Sequence, residues 1–193
     1  MPSFLFIIAK NIFMGVKHCM ISFKANLIQP VLIERMSQSV PASFVELDNA
    51  SKQDLKTLRQ VSRSWDNGKT YAWDVYNFFS CPLEEDEQRR YFAITTQKQS
   101  LENLDSNRVL GVAQMMDEKE HYLLEFLQVD PENNFSAFYR IFKGVGAAMM
   151  TALKTLFNDK DIFLRPADRI VSMFYEKQNF EFLKETRYMR LKR

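Results

Sequence analysis

The sequence has few of the residues that build metal sites and disulfide frameworks. Its 193 residues include two cysteines, Cys19 and Cys81, and two histidines, His18 and His121. Neither the CxxC nor the HExxH spacing of zinc sites occurs, so we expect no catalytic metal. Two cysteines are too few for a disulfide framework, and free thiols favour the cytoplasm.

Strong charge and long apolar runs are also lacking. The formal net charge is +2, which is too small to predict a nucleic-acid partner. The unbroken apolar run at residues 4–9 is too short to span a bilayer. With 46% hydrophobic and 26% charged residues, the composition is that of an ordinary globular protein. The length fits one domain with an appendage.

The first 36 residues differ from the rest and are interpreted as an N-terminal apolar or amphipathic extension. Lys10, Lys17 and Lys24 recur every seven residues, which places them near one face of a helix with apolar residues around it. We therefore divide the chain into this extension, residues 1–36, and a domain of residues 37–193.

Three interpretations of the extension stay open. It is an extra helix packed on the domain, or an interfacial helix that contacts a membrane or a partner through residues 4–24. Alternatively, it is absent from the native protein, with translation starting at Met14, Met20 or Met36.

Hydrophobic periodicity and turn residues predict the order β-α-α-β-β-β-α-β-α-β-β after a polar linker at residues 37–42. Strands are predicted at residues 43–47, 91–96, 108–116, 121–129, 162–164, 180–183 and 188–191. Helices are predicted at residues 52–63, 70–79, 144–157 and 168–178. This order indicates a mixed α/β fold with a largely antiparallel central sheet flanked by helices.

One turn in this order is suited to an anion. Gly144 and Gly146 open the helix at residues 144–157, and glycine lets a ligand approach the backbone closely. The first N–H groups of a helix are unsatisfied and lie at its positive dipole end, which suits a pyrophosphate. Two glycines at a helix start are also common as plain turn residues, and no Walker or GxGxxG spacing is present.

Two motifs taken together resemble the GNAT superfamily of acyl-CoA-dependent N-acetyltransferases. The first is the strand LLEFLQVDP followed by KGVGAA, where Lys143, Gly146 and Ala148 stand at the positions of the family's pyrophosphate-loop signature. The second is FYEKQNF at residues 174–180, which is similar to the family's later marker. The likeness covers roughly residues 108–183 and implies a GNAT-like fold.

The resemblance implies acetyl-CoA as co-substrate and assigns residues to hold it. The strand backbone at Leu127, Gln128 and Val129 would bind the pantetheine arm and polarise the thioester carbonyl. The turn would hold the pyrophosphate through the backbone of six consecutive residues, which are Lys143, Gly144, Val145, Gly146, Ala147 and Ala148.

The resemblance also assigns two catalytic residues. Glu125 lies mid-strand, where several relatives place a general base, and an amine with a reference pKa of about 10.4 needs one near neutral pH. Tyr175 matches the position of a general acid for the leaving thiolate. The alternatives are that Glu125 faces solvent or pairs structurally, and that Tyr175 is an ordinary helix aromatic.

Four departures from the family pattern bear on these assignments. Lys143 replaces Gln or Arg, and Asp168 replaces an Asn near CoA, where it is expected to cap a helix. Asn179 replaces the marker glycine and is the next most tolerant residue of a left-handed backbone. The link from Val129 to Lys143 is longer than in relatives, and its aromatic residues 131–142 are a candidate extra helical turn, lid or partner surface.

We therefore expect an enzyme that moves an acetyl group from acetyl-CoA to a primary amine by direct attack in a ternary complex. The acceptor is a small amine, an amino acid or antibiotic, or a protein amine, and the protein is a monomer or a homodimer. The alternative is a GNAT-like module that binds CoA or a protein without catalysis.

Overall fold

The structure, a computed structural model, describes residues 29–35, 38–65, 71–81, 88–133 and 141–192. The helices are α1 Lys52–Ser64, α2 Tyr71–Ser80, α3 Val145–Leu156 and α4 Arg169–Lys177. The strands are β1 Gln29–Arg35, β2 Gln38–Leu47, β3 Arg89–Thr95, β4 Val109–Asp117, β5 His121–Val129, β6 Phe142–Lys143, β7 Asp161–Leu164, β8 Phe180–Phe182 and β9 Met189–Leu191.

Within these ranges the strands form one nine-stranded sheet in the order β6-β1-β2-β3-β4-β5-β7-β9-β8. Neighbouring strands are antiparallel except β5 and β7, whose connection runs through α3. The predicted mixed α/β fold with a largely antiparallel sheet is thus confirmed. The predicted extra N-terminal helix lies outside the described residues.

The sheet separates two hydrophobic cores. On one face α3 and α4 pack over a cluster that includes Phe44, Phe92 and Met149. On the other face α1 and α2 cover a second cluster that includes Leu58, Val75 and Tyr91. In β2, β3 and β4 alternate residues supply the two clusters, as the period of two in a strand requires.

Two strand segments are not predicted from the sequence. Residues 29–35 have no predicted strand, and residues 37–42 are predicted to be a polar linker. The structure instead pairs β1 with β2 along seven register positions, from Gln29 with Phe44 to Arg35 with Gln38. Pro30 and Pro41 argue against central strands in a sequence, yet both prolines are accommodated here. The division of the chain at residue 36 stays a prediction.

Capping residues explain where two helices begin. The Ser51 side chain accepts a hydrogen bond from the Asp54 N–H at the start of α1. Asp168 does the same for the Val171 N–H at the start of α4, with 2.8 Å between the atoms. The expectation that Asp168 caps a helix is therefore confirmed.

No helix in the described ranges is long and apolar enough to cross a membrane. The expected membrane or partner contact through residues 4–24 lies outside the described residues. The cytoplasmic localisation stays a prediction.

Asn179 has the left-handed backbone expected of the residue that replaces the marker glycine, with φ +71°. Its side chain donates to the Lys192 carbonyl at 3.0 Å, and its carbonyl accepts from the Lys192 N–H at 2.9 Å. Asn179 thus closes the turn between α4 and β8 while tying that turn to the C-terminal strand.

Replacing Asn179 by alanine and by glycine separates the backbone strain from the side-chain bond, because both variants lose that bond. We expect Asn179→Ala to have a free energy of unfolding about 1 kcal/mol below that of Asn179→Gly, since alanine disfavours positive φ. Urea denaturation measures both values. Equal stability of the two variants would contradict the left-handed assignment.

Candidate functional site

The second half of β5 has an open side in the sheet. Strand β7 pairs with its first four residues, and the last register pair is Leu124 with Leu164. In the described part of the chain, no strand pairs with residues 125–129 on that side. These residues therefore offer backbone hydrogen-bonding groups to a ligand rather than to a neighbouring strand.

The neighbouring strand β4 fixes which of these groups face the opening. The Asp130 N–H donates to the Leu110 carbonyl of β4 at 2.9 Å. The Gln128 carbonyl also faces β4, because it lies 3.3 Å from where a Gly111 β-carbon would be. Backbone groups alternate sides along an antiparallel strand, so the N–H and C=O groups of Leu127 and Val129 point to the open side.

A bulge in β5 decides where Glu125 points. Gln114 pairs with Phe126 and Met115 pairs with Leu124, so Glu125 is an extra residue between two register pairs. Such a residue shifts the alternation of side chains by one position. Glu125 and Phe126 consequently both face α2, where the Phe126 ring lies 5.8 Å from that of Phe78.

Glu125 is held by two partners on this face. The Gln114 side-chain amide donates a hydrogen bond to Glu125 Oε2, and Arg89 Nε lies 3.5 Å from the same oxygen. The Glu125 and Arg89 side chains are 19% and 12% exposed. The Arg89 guanidinium in turn lies 4.6 Å from the centre of the Phe78 ring. The carboxylate is therefore oriented by the Gln114 amide and by the Arg89 guanidinium, which itself packs on the Phe78 ring of α2.

A cleft of about 1030 Å³ lies along the open side of β5. Glu125 and Leu127 line it from β5, Tyr175 from α4, and Tyr71 from the start of α2. The cleft brings together the two residues that the sequence analysis assigned to acid and base roles. Gln128, Val129 and the glycine turn are not among the residues that line it.

Tyr175 is almost fully buried in the wall of this cleft, with 7% of its surface exposed. Its ring packs edge-on against Phe174 and Phe180 at 5.1 and 5.9 Å. Burial raises the pKa of the Tyr175 phenol well above its usual range, and nearby Tyr71 raises it further. The side chain therefore stays a neutral hydroxyl, and the same burial makes it a weaker acid than an exposed tyrosine.

Gln128 connects β5 to α2 through its side chain. Its Oε1 accepts a hydrogen bond from the Ala72 N–H at 2.9 Å. Ala72 is the second residue of α2, so this bond satisfies one of the N–H groups left open at a helix start. It also fixes Tyr71 at the cleft. The side chain of Gln128 thus has a positioning role that the sequence did not predict.

The glycine turn lies at the far end of the open side. Gly144 has φ +76°, a conformation that costs other residues about 1–2 kcal/mol. The hydrogen-bond ladder of α3 starts with the Ala148 N–H and the Gly144 carbonyl, 2.8 Å apart. The N–H groups of Val145, Gly146 and Ala147 precede that ladder and are suited to an anion.

Gly146 sits where the β-carbon of a larger residue would make tight contacts. A β-carbon there would lie 3.3 Å from Phe174 Cζ and 3.4 Å from Val129 Cγ2. The turn is therefore in contact with the end of β5 and with the helix that carries Tyr175. Lys143 lies outside this contact, on β6, with an exposed side chain.

The long link before the turn is fixed at both ends. The side chain of buried Asn133 donates to Asp130 Oδ2 and accepts from the Phe142 N–H, both at 2.8 Å. Beyond it, β6 pairs with Glu34 and Arg35 of β1. Most of the predicted extra turn or lid, residues 134–140, lies outside the described residues.

Gln114 and Arg89 are site residues that the sequence analysis missed. Arg89 falls between the predicted helix at residues 70–79 and the predicted strand at residues 91–96, whereas in the structure it starts β3 and reaches Glu125. Gln114 is the single polar residue in the run VLGVAQMM of β4 and is fully buried. A buried amide among apolar neighbours needs a polar partner, and that signal was available in the sequence.

Solved structures share this arrangement of strands and helices. The N-acetyl transferase candidate YhhK from E. coli, bound to coenzyme A, is 13% identical over 79% of this chain and 98% of its own, with a TM-score of 0.51. An acyl-CoA N-acyltransferase from Pseudomonas aeruginosa is 12% identical over 78% of this chain and 99% of its own, with a TM-score of 0.51. This chain has the GNAT fold.

A third structure with the GNAT fold is the ribosomal-protein-S18-alanine N-acetyltransferase from Escherichia coli. It is 14% identical over 78% of this chain and 92% of its own, with a TM-score of 0.50. The sequence itself matches no protein-family model and none of the curated proteins. The resemblance drawn from the two motifs is thus confirmed for the fold.

The described residues contain no group of three or more His, Cys, Asp and Glu side chains able to hold a metal ion.

Asn133→Ala tests whether this side chain anchors the link to the glycine turn. The substitution leaves the Phe142 N–H and the Asp130 carboxylate without their partner, which should lower the free energy of unfolding by about 1–3 kcal/mol. Asn103→Ala is the matched control, because that side chain is exposed and should change stability by less than about 0.5 kcal/mol. If the two variants unfold at the same urea concentration, Asn133 is not an anchor.

Proposed function

We propose that this protein is an acetyl-CoA-dependent N-acetyltransferase that acts on a primary amine. The observation that carries the proposal is the open side of β5, with Glu125 at one end and the glycine turn at the other. Coenzyme A in the YhhK structure and the names of the P. aeruginosa and S18-alanine enzymes support the same class of reaction.

The residues fit the parts of acetyl-CoA in order along β5. The N–H groups at the start of α3 suit the pyrophosphate, with Gly146 leaving room against Val129 and Phe174. The backbone of Leu127 and Val129 suits the amide groups of the pantetheine arm. Of the residues assigned by the family resemblance, Gln128 contributes instead by holding α2.

The acceptor amine needs to lose a proton before it attacks. With a reference pKa of about 10.4, an amine is about 99.9% protonated near pH 7, which costs about 4–5 kcal/mol if no base helps. Glu125 takes this proton, directly or through a water molecule. Gln114 and Arg89 orient the carboxylate toward the cleft.

Attack then forms the bond between the amine nitrogen and the acetyl carbon, and the carbon–sulfur bond breaks. Tyr175 gives its phenolic proton to the departing thiolate and is later reprotonated from the attacking nitrogen through solvent. The products are an N-acetyl amine and coenzyme A, with one net proton released from the ammonium form of the acceptor. A buried thiolate is poorly solvated, and burial therefore makes it more basic. Such a thiolate is able to accept a proton from a weak acid.

The alternative is a GNAT-fold module that binds acetyl-CoA without catalysis. The contacts of Glu125 with Gln114 and Arg89 favour this alternative, because they give the carboxylate a structural role between β5, β4 and β3.

Titration calorimetry with acetyl-CoA and a free-thiol release assay over a panel of amines distinguish the two functions. The proposal predicts one bound acetyl-CoA per chain and amine-dependent thiol release. Binding without release for any amine supports the non-catalytic module, and no binding at millimolar acetyl-CoA contradicts both functions.

Glu125→Gln should lower kcat/KM by about 10²–10⁴-fold near neutral pH. The deficit should shrink as the pH rises toward the pKa of the amine, because more acceptor is then already deprotonated. The matched control is Glu46→Gln, which breaks another arginine pair, with Arg90 at 2.7 Å, on strands away from the cleft. Full activity of Glu125→Gln, measured by thiol release, would exclude Glu125 as the base.

Tyr175→Phe should lower kcat by about 10²-fold or more while the ring packing and the stability are kept. Because the pKa of Tyr175 is raised above its usual value of about 10, the neutral phenol persists at alkaline pH. The activity of the parent protein should therefore not fall between about pH 8 and pH 10 through loss of this proton. A wild-type rate in Tyr175→Phe would rule out its role as the acid.

A further inference from the structure

The cleft beside β5 carries more than the residues assigned to the reaction. Several large apolar side chains on its wall are exposed, although such side chains usually pack in a core. Tyr71 is 44% exposed, Met173 52% and Phe182 49%, and all three line the cleft. They come from three different elements, α2, α4 and β8, so together they form an apolar wall around the opening.

Three arginines line the same cleft. Arg165, Arg169 and Arg187 are exposed, and no ion pair or hydrogen bond joins their guanidinium groups to other described residues. Two of the three acids in the cleft are already engaged, since Asp168 caps α4 and Glu125 pairs with Arg89. Glu176 is the third, with an exposed side chain on α4.

The sheet register places two of these arginines at the end of the cleft near Glu125. Arg165 directly follows Leu164, which pairs with Leu124, the neighbour of Glu125. Leu164 also pairs with Met189 of β9, so Arg187, two residues before Met189, lies at the same end. Arg165 and Arg187 therefore converge from two loops on the reacting end of the cleft.

This end is distant from the glycine turn that suits the pyrophosphate. The turn contacts Val129, and four residue-to-residue steps along the strand lead from Val129 to Glu125. At about 3.3 Å per residue, that separation is about 13 Å. An anion bound by Arg165 and Arg187 would thus belong to the acceptor rather than to the pyrophosphate.

We propose that the acceptor is an α-amino acid with a large apolar side chain. The inference rests on the proposed acetyl transfer at this site. Arginine binds carboxylates through paired, charge-assisted hydrogen bonds. The carboxylate of an α-amino acid is only two bonds from the reacting amine. Its binding site is therefore expected close to the base, and Arg165 and Arg187 lie at the same end of the cleft as Glu125. The apolar side chain of the acceptor packs on Tyr71, Met173 and Phe182.

The test compares L-phenylalanine, L-leucine and L-methionine with their own amides and with glycine, in a thiol-release assay with acetyl-CoA. Each amide keeps the amine and the side chain but lacks the negative charge, and glycine lacks the side chain. We expect at least one of the three amino acids to have a kcat/KM about 10-fold or more above both its amide and glycine. Equal or higher values for every amide would overturn the proposal.

Arg187→Gln and Arg165→Gln test the arginines directly. Each should lower kcat/KM for the preferred amino acid about 10-fold and leave that for its amide unchanged. Arg63→Gln is the matched control, an exposed arginine in the last turn of α1. If the variants instead weaken acetyl-CoA binding in calorimetry and slow both acceptors equally, the arginines bind phosphates of CoA and the inference is wrong.

Failure of the proposed reaction has a different signature. If acetyl-CoA binds but no amine releases thiol, the enzyme proposal fails, and calorimetry with each amino acid and its amide then decides the inference. Tighter binding of an amino acid than of its amide, lost in Arg187→Gln, would uphold the apolar amino acid as ligand. Equal binding or no binding would refute it.

Discussion

The early end of the pairing between β5 and β7 is the constraint on which the site depends. A sheet normally satisfies the backbone groups of an internal strand on both sides. Here β7 ends at Leu164, so β5 continues past Leu124 with one side open, and a cleft takes the place of the next strand. Every other part of the site is arranged along that opening: the bulge at Glu125, the wall formed by α4, and the glycine turn beyond Val129.

The chemistry of the site follows from how each side chain is surrounded. Glu125 is partly exposed and held by an amide and a guanidinium, so it keeps a defined orientation. Tyr175 is buried among aromatic rings, so it keeps its proton. Both side chains face one cleft, and the proposed reaction assigns the carboxylate to accept a proton and the phenol to donate one.

Much of the fold was predictable because its signals are local. Strand periodicity predicted β5 with the bounds observed, and glycine and aspartate marked the starts of α3 and α4. The strands at residues 29–35 and 38–42 were not predicted, because both segments contain proline and neither has a clear period of two. Their strand pairing is decided by tertiary contacts. The partners of Glu125 and the arginines of the cleft come from distant segments, and only the sheet register brings them together.

Amide hydrogen exchange at Leu127 and Val129, followed by NMR with and without saturating acetyl-CoA, tests the central claim most directly. Both N–H groups point to the open side of β5, whereas the Gln128 N–H points toward β4 and serves as an internal reference. The account predicts that acetyl-CoA slows exchange at Leu127 and Val129 while Gln128 changes little. Unchanged exchange at both residues with acetyl-CoA bound would contradict it.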